Sequence, residues 1–120
     1  MSDPDFGELL CRLLREDGYD TTLATDGIAI VSRIARVVPD VLVLDAKLAR
    51  LDGLLTLEVV RSIDGELPVV LLSGAAGPAL RLVAERFGAV LLRKPFRNCE
   101  LIDAVARGCR SRDGARGVSG

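Results

Sequence analysis

Three short runs of the sequence are apolar without interruption, and these runs constrain the fold more than any other feature. They are VLVL at 41–44, VVLL at 69–72 and AVLL at 89–92. A strand with no polar face is typically buried on both faces, as in parallel sheets that helices cover on both sides. Provided that helices lie between the strands, the sequence predicts a doubly wound α/β fold.

Helical patterns fill the segments between these strands. Four of the five predicted helices have apolar stripes at helical spacing, and the third is the segment LLTLEVVRSI at 54–63. The stripes are Phe6, Leu9, Leu10, Leu13 and Leu14; Ile30, Val31, Ile34 and Ala35; Leu80, Val83, Ala84 and Phe87; and Leu101, Ile102, Val105, Ala106 and Cys109. The segment YDTTLAT at 19–25 is short and rich in Thr and Tyr, which predicts a further strand. Helices and strands therefore alternate along the chain, as a parallel sheet requires.

Length and charge limit the range of functions. The chain has 120 residues, enough for one domain with a proper core, and only four aromatic residues, so the core must be aliphatic. We expect the domain to occupy residues 1–109 and a flexible tail to occupy 110–120, where turn-formers and charges lack any period. The net charge of −1 gives no general attraction to nucleic acid or to an anionic membrane, so neither is an expected partner.

The cysteine and histidine content excludes several kinds of site. The three cysteines, Cys11, Cys99 and Cys109, form no C-x-x-C pair, and the chain has no histidine. A zinc site or a histidine-based catalytic triad is therefore not expected. Free cysteines, the absence of a leader pattern and the absence of a long apolar run predict a reduced, cytoplasmic protein.

Polar side chains of three chemical types follow the three apolar runs. Asp45 ends the first run, Ser73 ends the second, and Arg93 and Lys94 follow the third. Function in doubly wound sheets collects just beyond the carboxyl ends of the strands, so these residues form a candidate site. The simpler interpretation is that strand ends meet solvent and carry polar residues without a task.

The segments PDVLVLDAKLARLDG, LPVVLLSG and KPF together resemble the receiver domain of two-component response regulators. The interval from Asp45 to Gly53, the hydroxyl of Ser73 and the Lys94-Pro95-Phe96 motif carry this resemblance, which runs from about residue 3 to residue 109. It implies a flavodoxin-like fold and identifies residues 1–109 as receiver-like. It also implies that Asp45 accepts a phosphoryl group from a histidine kinase, with Ser73 and Lys94 assisting.

The family also begins with a strand that ends in two adjacent acids, and this chain differs there. The sequence starts at the first helix of the family, so the first strand and its acidic pair are expected to be missing. The resemblance implies Mg²⁺ as the cofactor, held by Asp45 and the backbone carbonyl of Lys47. Asp3, which lies one position past the place of the acidic pair, is a further candidate ligand. The gap left by the central strand could be closed by direct pairing of its neighbours, by a second chain, or by residues upstream in the natural protein.

The resemblance to receiver domains, and the positions at which this chain differs from them, lead to two hypotheses of different functional classes. The first is a phosphoacceptor switch without enzymatic activity, which receives its phosphoryl group from a sensor histidine kinase or phosphotransfer protein and signals by binding an effector protein. The second is a phosphorylation-defective pseudo-receiver that serves as a docking module or forms a homodimer. The retention of Asp45, Ser73 and Lys94 favours the first hypothesis, which we prefer. The missing acidic pair favours the second, as does Leu91, which stands where the family has an aromatic switch residue.

Overall fold

The computed structural model describes residues 4–24, 26–46, 53–74 and 78–115. In chain order, the elements are α1 (Pro4–Glu16), α2 (Gly27–Arg36), β1 (Leu42–Asp45), α3 (Gly53–Ile63), β2 (Val69–Ser73), α4 (Pro78–Arg86), β3 (Val90–Arg93) and α5 (Asn98–Ala115). The three apolar runs have thus become the three strands. The five predicted helices are all present within these ranges.

The three strands form one parallel sheet in the order β1-β2-β3. The register places Leu44 beside Leu71 and Asp45 beside Leu72, while Ser73 lies beside Arg93 on the other side of β2. Parallel neighbours need a crossover connection, and here each crossover contains a helix. The α/β class predicted from the sequence is confirmed.

Helices cover both faces of the sheet and create two aliphatic cores. Val69 and Leu71 of β2 pack into one core with α2, α3 and α4, whereas Val70 and Leu72 pack into the other with α1 and α5. All five residues of β2 are buried. Since successive side chains of a strand point to opposite faces, β2 supplies apolar groups to both layers at once.

The strand predicted at 19–25 does not form. Residues 19–24 have no regular secondary structure, and Thr25 lies outside the described residues. Tyr and Thr favour strands only where a neighbouring strand supplies hydrogen bonds and packing, and none of the three described strands pairs with this segment. Tyr19 instead packs against the core under α1 and α5.

Helix α5 extends past the boundary at which the flexible tail was predicted to begin. It runs to Ala115, whereas an irregular segment was expected from Arg110, and residues 116–120 lie outside the described ranges. Helix propagation costs little once a helix is established, and Arg is a good helix former. In the described part of the chain, neither α5 nor any other helix is long and apolar enough to span a membrane.

Gly108 allows α5 to approach the beginning of the sheet closely. A Cβ atom at this position would lie 2.9 Å from Cγ2 of Val41 and 3.1 Å from Cβ of Pro68. Both neighbours are stiff side chains, so a larger residue would force the helix away. The missing side chain of Gly108 thus sets how closely α5 packs.

Arg61 connects two turns on the other side of the sheet. Its guanidinium donates hydrogen bonds to the carbonyl oxygens of Phe87 at 2.6 Å, Leu67 at 2.5 Å and Asp64 at 3.3 Å. These oxygens belong to the turn after α4 and the turn between α3 and β2. Burial lowers the pKa of Arg61 from its usual value, yet an arginine remains charged in proteins.

Replacement of Arg61 by methionine should destabilise the domain. The Arg61→Met substitution leaves several partly buried carbonyl groups without a donor, so we expect the free energy of unfolding to fall by about 2 kcal/mol. Urea unfolding would measure the change. The control is Arg107→Met, which removes an exposed arginine paired at 3.0 Å with Asp103; equal losses in the two variants would contradict the bracing role of Arg61.

Candidate functional site

The parallel register brings the polar strand ends together at one edge of the sheet. Beyond the ends of the strands the ladder continues, because the backbone N–H of Lys94 donates to the carbonyl of Ser73 at 2.8 Å. The backbone N–H of Ala46 likewise donates to the carbonyl of Leu72 at 2.9 Å. The residues that end or follow the strands are therefore held by the sheet itself rather than by a loose loop.

A contact between opposite charges lies at this edge. The Lys94 Nζ atom is 2.8 Å from the Asp45 Oδ2 atom, and it donates a hydrogen bond to that oxygen. The exposed fraction is 12% for the Asp45 side chain and 28% for the Lys94 side chain. Partial burial reduces solvent screening, so this pair interacts more strongly than an ion pair on the open surface.

Ser73 lies on β2, between the strands that carry the two charged residues. It is 4% exposed and is one of two buried polar or charged residues among those described, the other being Thr56. The register sets Ser73 one position beyond Leu72, the neighbour of Asp45. The structure thus brings a carboxylate, a hydroxyl and an ammonium to the ends of the strands, as the sequence predicted, whereas Arg93 is exposed.

Sequence reasoning missed Phe6, whose ring contacts the site. The Lys94 Nζ atom lies 4.9 Å from the centroid of the Phe6 ring, which itself lies 6.3 Å from the centroid of the Phe96 ring. Phe6 fits the apolar stripe of α1 and was interpreted only as a core residue. The one signal in the sequence was the position of this aromatic residue in the first turn of the first helix. Helices of this fold begin near the carboxyl ends of the strands, so a side chain in the first turn can lie close to the site.

The described residues contain no cluster of three metal-binding side chains. Within residues 4–24, 26–46, 53–74 and 78–115, no three acidic or cysteine side chains cluster to hold a metal. The site contributes the carboxylate of Asp45, one oxygen of which already accepts a hydrogen bond from Lys94. Asp3 and Lys47, the other predicted magnesium ligands, lie outside the described residues.

Leu91 takes a structural role in β3. It is half-buried and packs against the core that α2, α3 and α4 share with the sheet. An aliphatic side chain in this environment is stabilised by burial and carries no ring that could exchange between inward and outward positions.

Solved structures share this architecture. The receiver domain of NtrX from Brucella abortus superposes with a TM-score of 0.81 at 32% identity, over 88% of this chain and 91% of that one. A CheY-like receiver domain protein from Methanospirillum hungatei JF-1 superposes with a TM-score of 0.88 at 17% identity, over 94% of this chain and 91% of that one. The fold is therefore the flavodoxin-like α/β fold of receiver domains.

Sequence comparison gives the family. The family model of the response regulator receiver domain matches residues 2–106. The response regulator MprA of Mycobacterium leprae is 37% identical over 116 residues, which cover 93% of this chain and 51% of MprA. The chain belongs to the response regulator receiver domains of two-component systems, and it spans about half the length of the MprA relatives that it matches.

A double-mutant cycle should detect the contact between Asp45 and Lys94. We expect Asp45→Asn, Lys94→Met and the double variant to give a coupling energy of about 1 kcal/mol in urea unfolding, because the two charges are in direct contact and partly buried. The coupling should persist in high salt better than that of the exposed Arg107 and Asp103 pair. Additive effects of the two substitutions would contradict the contact.

Proposed function

We propose that this chain is a phosphoacceptor switch and that Asp45 is the residue phosphorylated. The observation that carries the proposal is the 2.8 Å contact between Lys94 Nζ and Asp45 Oδ2 at the carboxyl edge of the sheet. An ion pair that is partly withdrawn from water, as this one is, contributes little net stability in general, because desolvation offsets much of its Coulomb energy. A charge pair held at the functional edge of this fold is therefore better explained by chemistry than by stability.

The proposed reaction is a phosphoryl transfer to a carboxylate. One carboxylate oxygen of Asp45 attacks the phosphorus atom, and a P–O bond forms while the bond from phosphorus to the donor breaks. With acetyl phosphate the leaving group is acetate, and with a phosphohistidine donor it is the histidine ring. A carboxylate is a suitable nucleophile for an aspartyl phosphate, and the transfer depends mainly on positioning and neutralisation of charge.

Lys94 and Ser73 are proposed to stabilise the transferred group. The Lys94 ammonium, already beside Asp45, would move its hydrogen bond to an oxygen of the incoming phosphoryl group. The hydroxyl of Ser73 would donate to another of these oxygens. Charge-assisted hydrogen bonds of this kind are the strong ones, and they act where negative charge develops.

The proposed partners follow from the family. A sensor histidine kinase or a phosphotransfer protein would supply the phosphoryl group, and a downstream effector protein would respond to it, with a homodimer as one form of response. Receiver domains typically use Mg²⁺. Assays of the transfer should therefore contain this ion, although no step of the proposal is assigned to it.

Intact-mass spectrometry after incubation with acetyl phosphate and Mg²⁺ tests the proposal. We expect one phosphoryl adduct on the unmodified chain and none on Asp45→Asn, because the substitution removes the nucleophile. The control Asp40→Asn removes an exposed carboxylate that precedes β1 and should keep the adduct. Lys94→Met should slow adduct formation by about a hundredfold, since it removes one donor to the developing charge.

Two results would contradict phosphorylation of Asp45. One is an adduct that survives Asp45→Asn, which would place the phosphoryl group elsewhere. The other is the absence of an adduct on the unmodified chain, both with acetyl phosphate and with phosphorylated histidine kinases.

A phosphorylation-defective docking or dimerisation module is the second candidate. The observation that favours it is that the described residues contain no group of three acidic or cysteine side chains for a metal. In that case Asp45 and Lys94 would act only as a structural ion pair. The intact-mass measurement separates the two candidates, because the docking module gives no adduct under any donor.

A further inference from the structure

Lys94 lies between two different kinds of partner. On one side the Asp45 carboxylate accepts its hydrogen bond at 2.8 Å, and on the other the centroid of the Phe6 ring lies 4.9 Å from the same nitrogen atom. The face of an aromatic ring attracts a cation within about 6 Å. The ammonium is thus held by a charge from β1 and by a ring from α1.

The Phe6 ring has support of its own. Phe96, two residues after Lys94, lies with its ring centroid 6.3 Å from that of Phe6 and with the ring planes inclined by 60°. This tilted arrangement is one that aromatic pairs prefer. The half-buried rings of Phe6 and Phe96 both pack against the core under α1 and α5, so the orientation of Phe6 is fixed by the scaffold.

A lysine gains from such support because its side chain is flexible. Its four-carbon stem carries many rotamers, and ordering them opposes any single position of the ammonium. The Asp45 contact supplies one anchor, but that anchor changes when a phosphoryl group arrives. An aromatic ring contacts the ammonium without competing for its hydrogen bonds. Such a ring would keep the ammonium in place while its hydrogen bond moves from Asp45 to the phosphoryl group.

We propose that Phe6 is a positioning residue for Lys94. The face of its ring keeps the ammonium at the ends of the strands, where it can bond to Asp45 or to a group attached there. The part of this inference that concerns phosphorylation rests on the proposed function. The part that concerns the position of Lys94 does not.

Competitive acylation of lysines by trace acetic anhydride tests the positioning role directly. Lys94 and Lys47 are the two lysines of the chain, so the ratio of their labelling in separate peptides gives an internal standard. We expect Phe6→Leu to raise the Lys94:Lys47 ratio about fivefold, because leucine fills the space but has no ring face. Phe6→Tyr keeps the ring face and should restore the original ratio.

The outcomes separate positioning from simple packing. An unchanged ratio in Phe6→Leu would overturn the proposal, as would equal ratios in the Leu and Tyr variants, because packing alone would then explain Phe6. Circular dichroism checks that each variant is folded, and Phe6→Met replaces the Leu variant if that protein unfolds. Asp45→Asn serves as a positive control, since loss of the carboxylate should also raise the labelling of Lys94.

Phosphorylation kinetics add a second readout. If the unmodified chain forms the adduct with acetyl phosphate, Phe6→Leu should form it about fivefold more slowly and Phe6→Tyr at the original rate. If the unmodified chain forms no adduct, the proposed function fails while the labelling ratio still decides the role of Phe6. An adduct that forms at one rate in all three proteins would overturn the part of the inference that concerns phosphorylation.

Discussion

The burial of β2 on both faces is the constraint on which the rest of the domain depends. Its side chains alternate between two cores, and its backbone pairs with β1 on one edge and β3 on the other. Each fully buried Leu or Val contributes about 2 kcal/mol from removal of apolar surface. The strand therefore holds two layers of helices and two neighbouring strands in one register, and the register decides which residues meet at the edge.

The site is a product of that register. Asp45 and Lys94 lie 49 positions apart in sequence and belong to opposite edges of the described sheet, with Ser73 on the strand between them. Neither charge would be near the other without β2 to space the edge strands. Since the backbone of Lys94 is still bonded to the strand beside it, the ammonium starts from a fixed point and only its side chain needs to be ordered.

The sequence allowed much of this to be predicted, for identifiable physical reasons. A continuous apolar run is usually a strand buried on both faces, so the predictions of β1, β2, β3 and the class of fold were correct. The polar residues at or just after the ends of these runs gave the site candidates Asp45, Ser73 and Lys94. The prediction of a strand at 19–25 was wrong because strand propensity takes no account of whether a neighbouring strand is present. Phe6 and Arg61 could not be recognised, because each looks like an ordinary residue of a helix until tertiary contacts bring a lysine or a set of carbonyl groups beside it.

The brace formed by Arg61 has a consequence for how the domain responds to its surroundings. Burial lowers the pKa of this guanidinium, because its charged form is less well solvated in the folded domain than in the unfolded chain. The free energy of unfolding therefore rises with pH through this group, but only in the range where arginine itself titrates. That range is far above neutrality, and the chain has no histidine, the side chain whose charge usually changes between about pH 5 and 8. Arg61 therefore keeps its charge through changes of cellular pH, and its hydrogen bonds to the turns that precede β2 and β3 should persist through them.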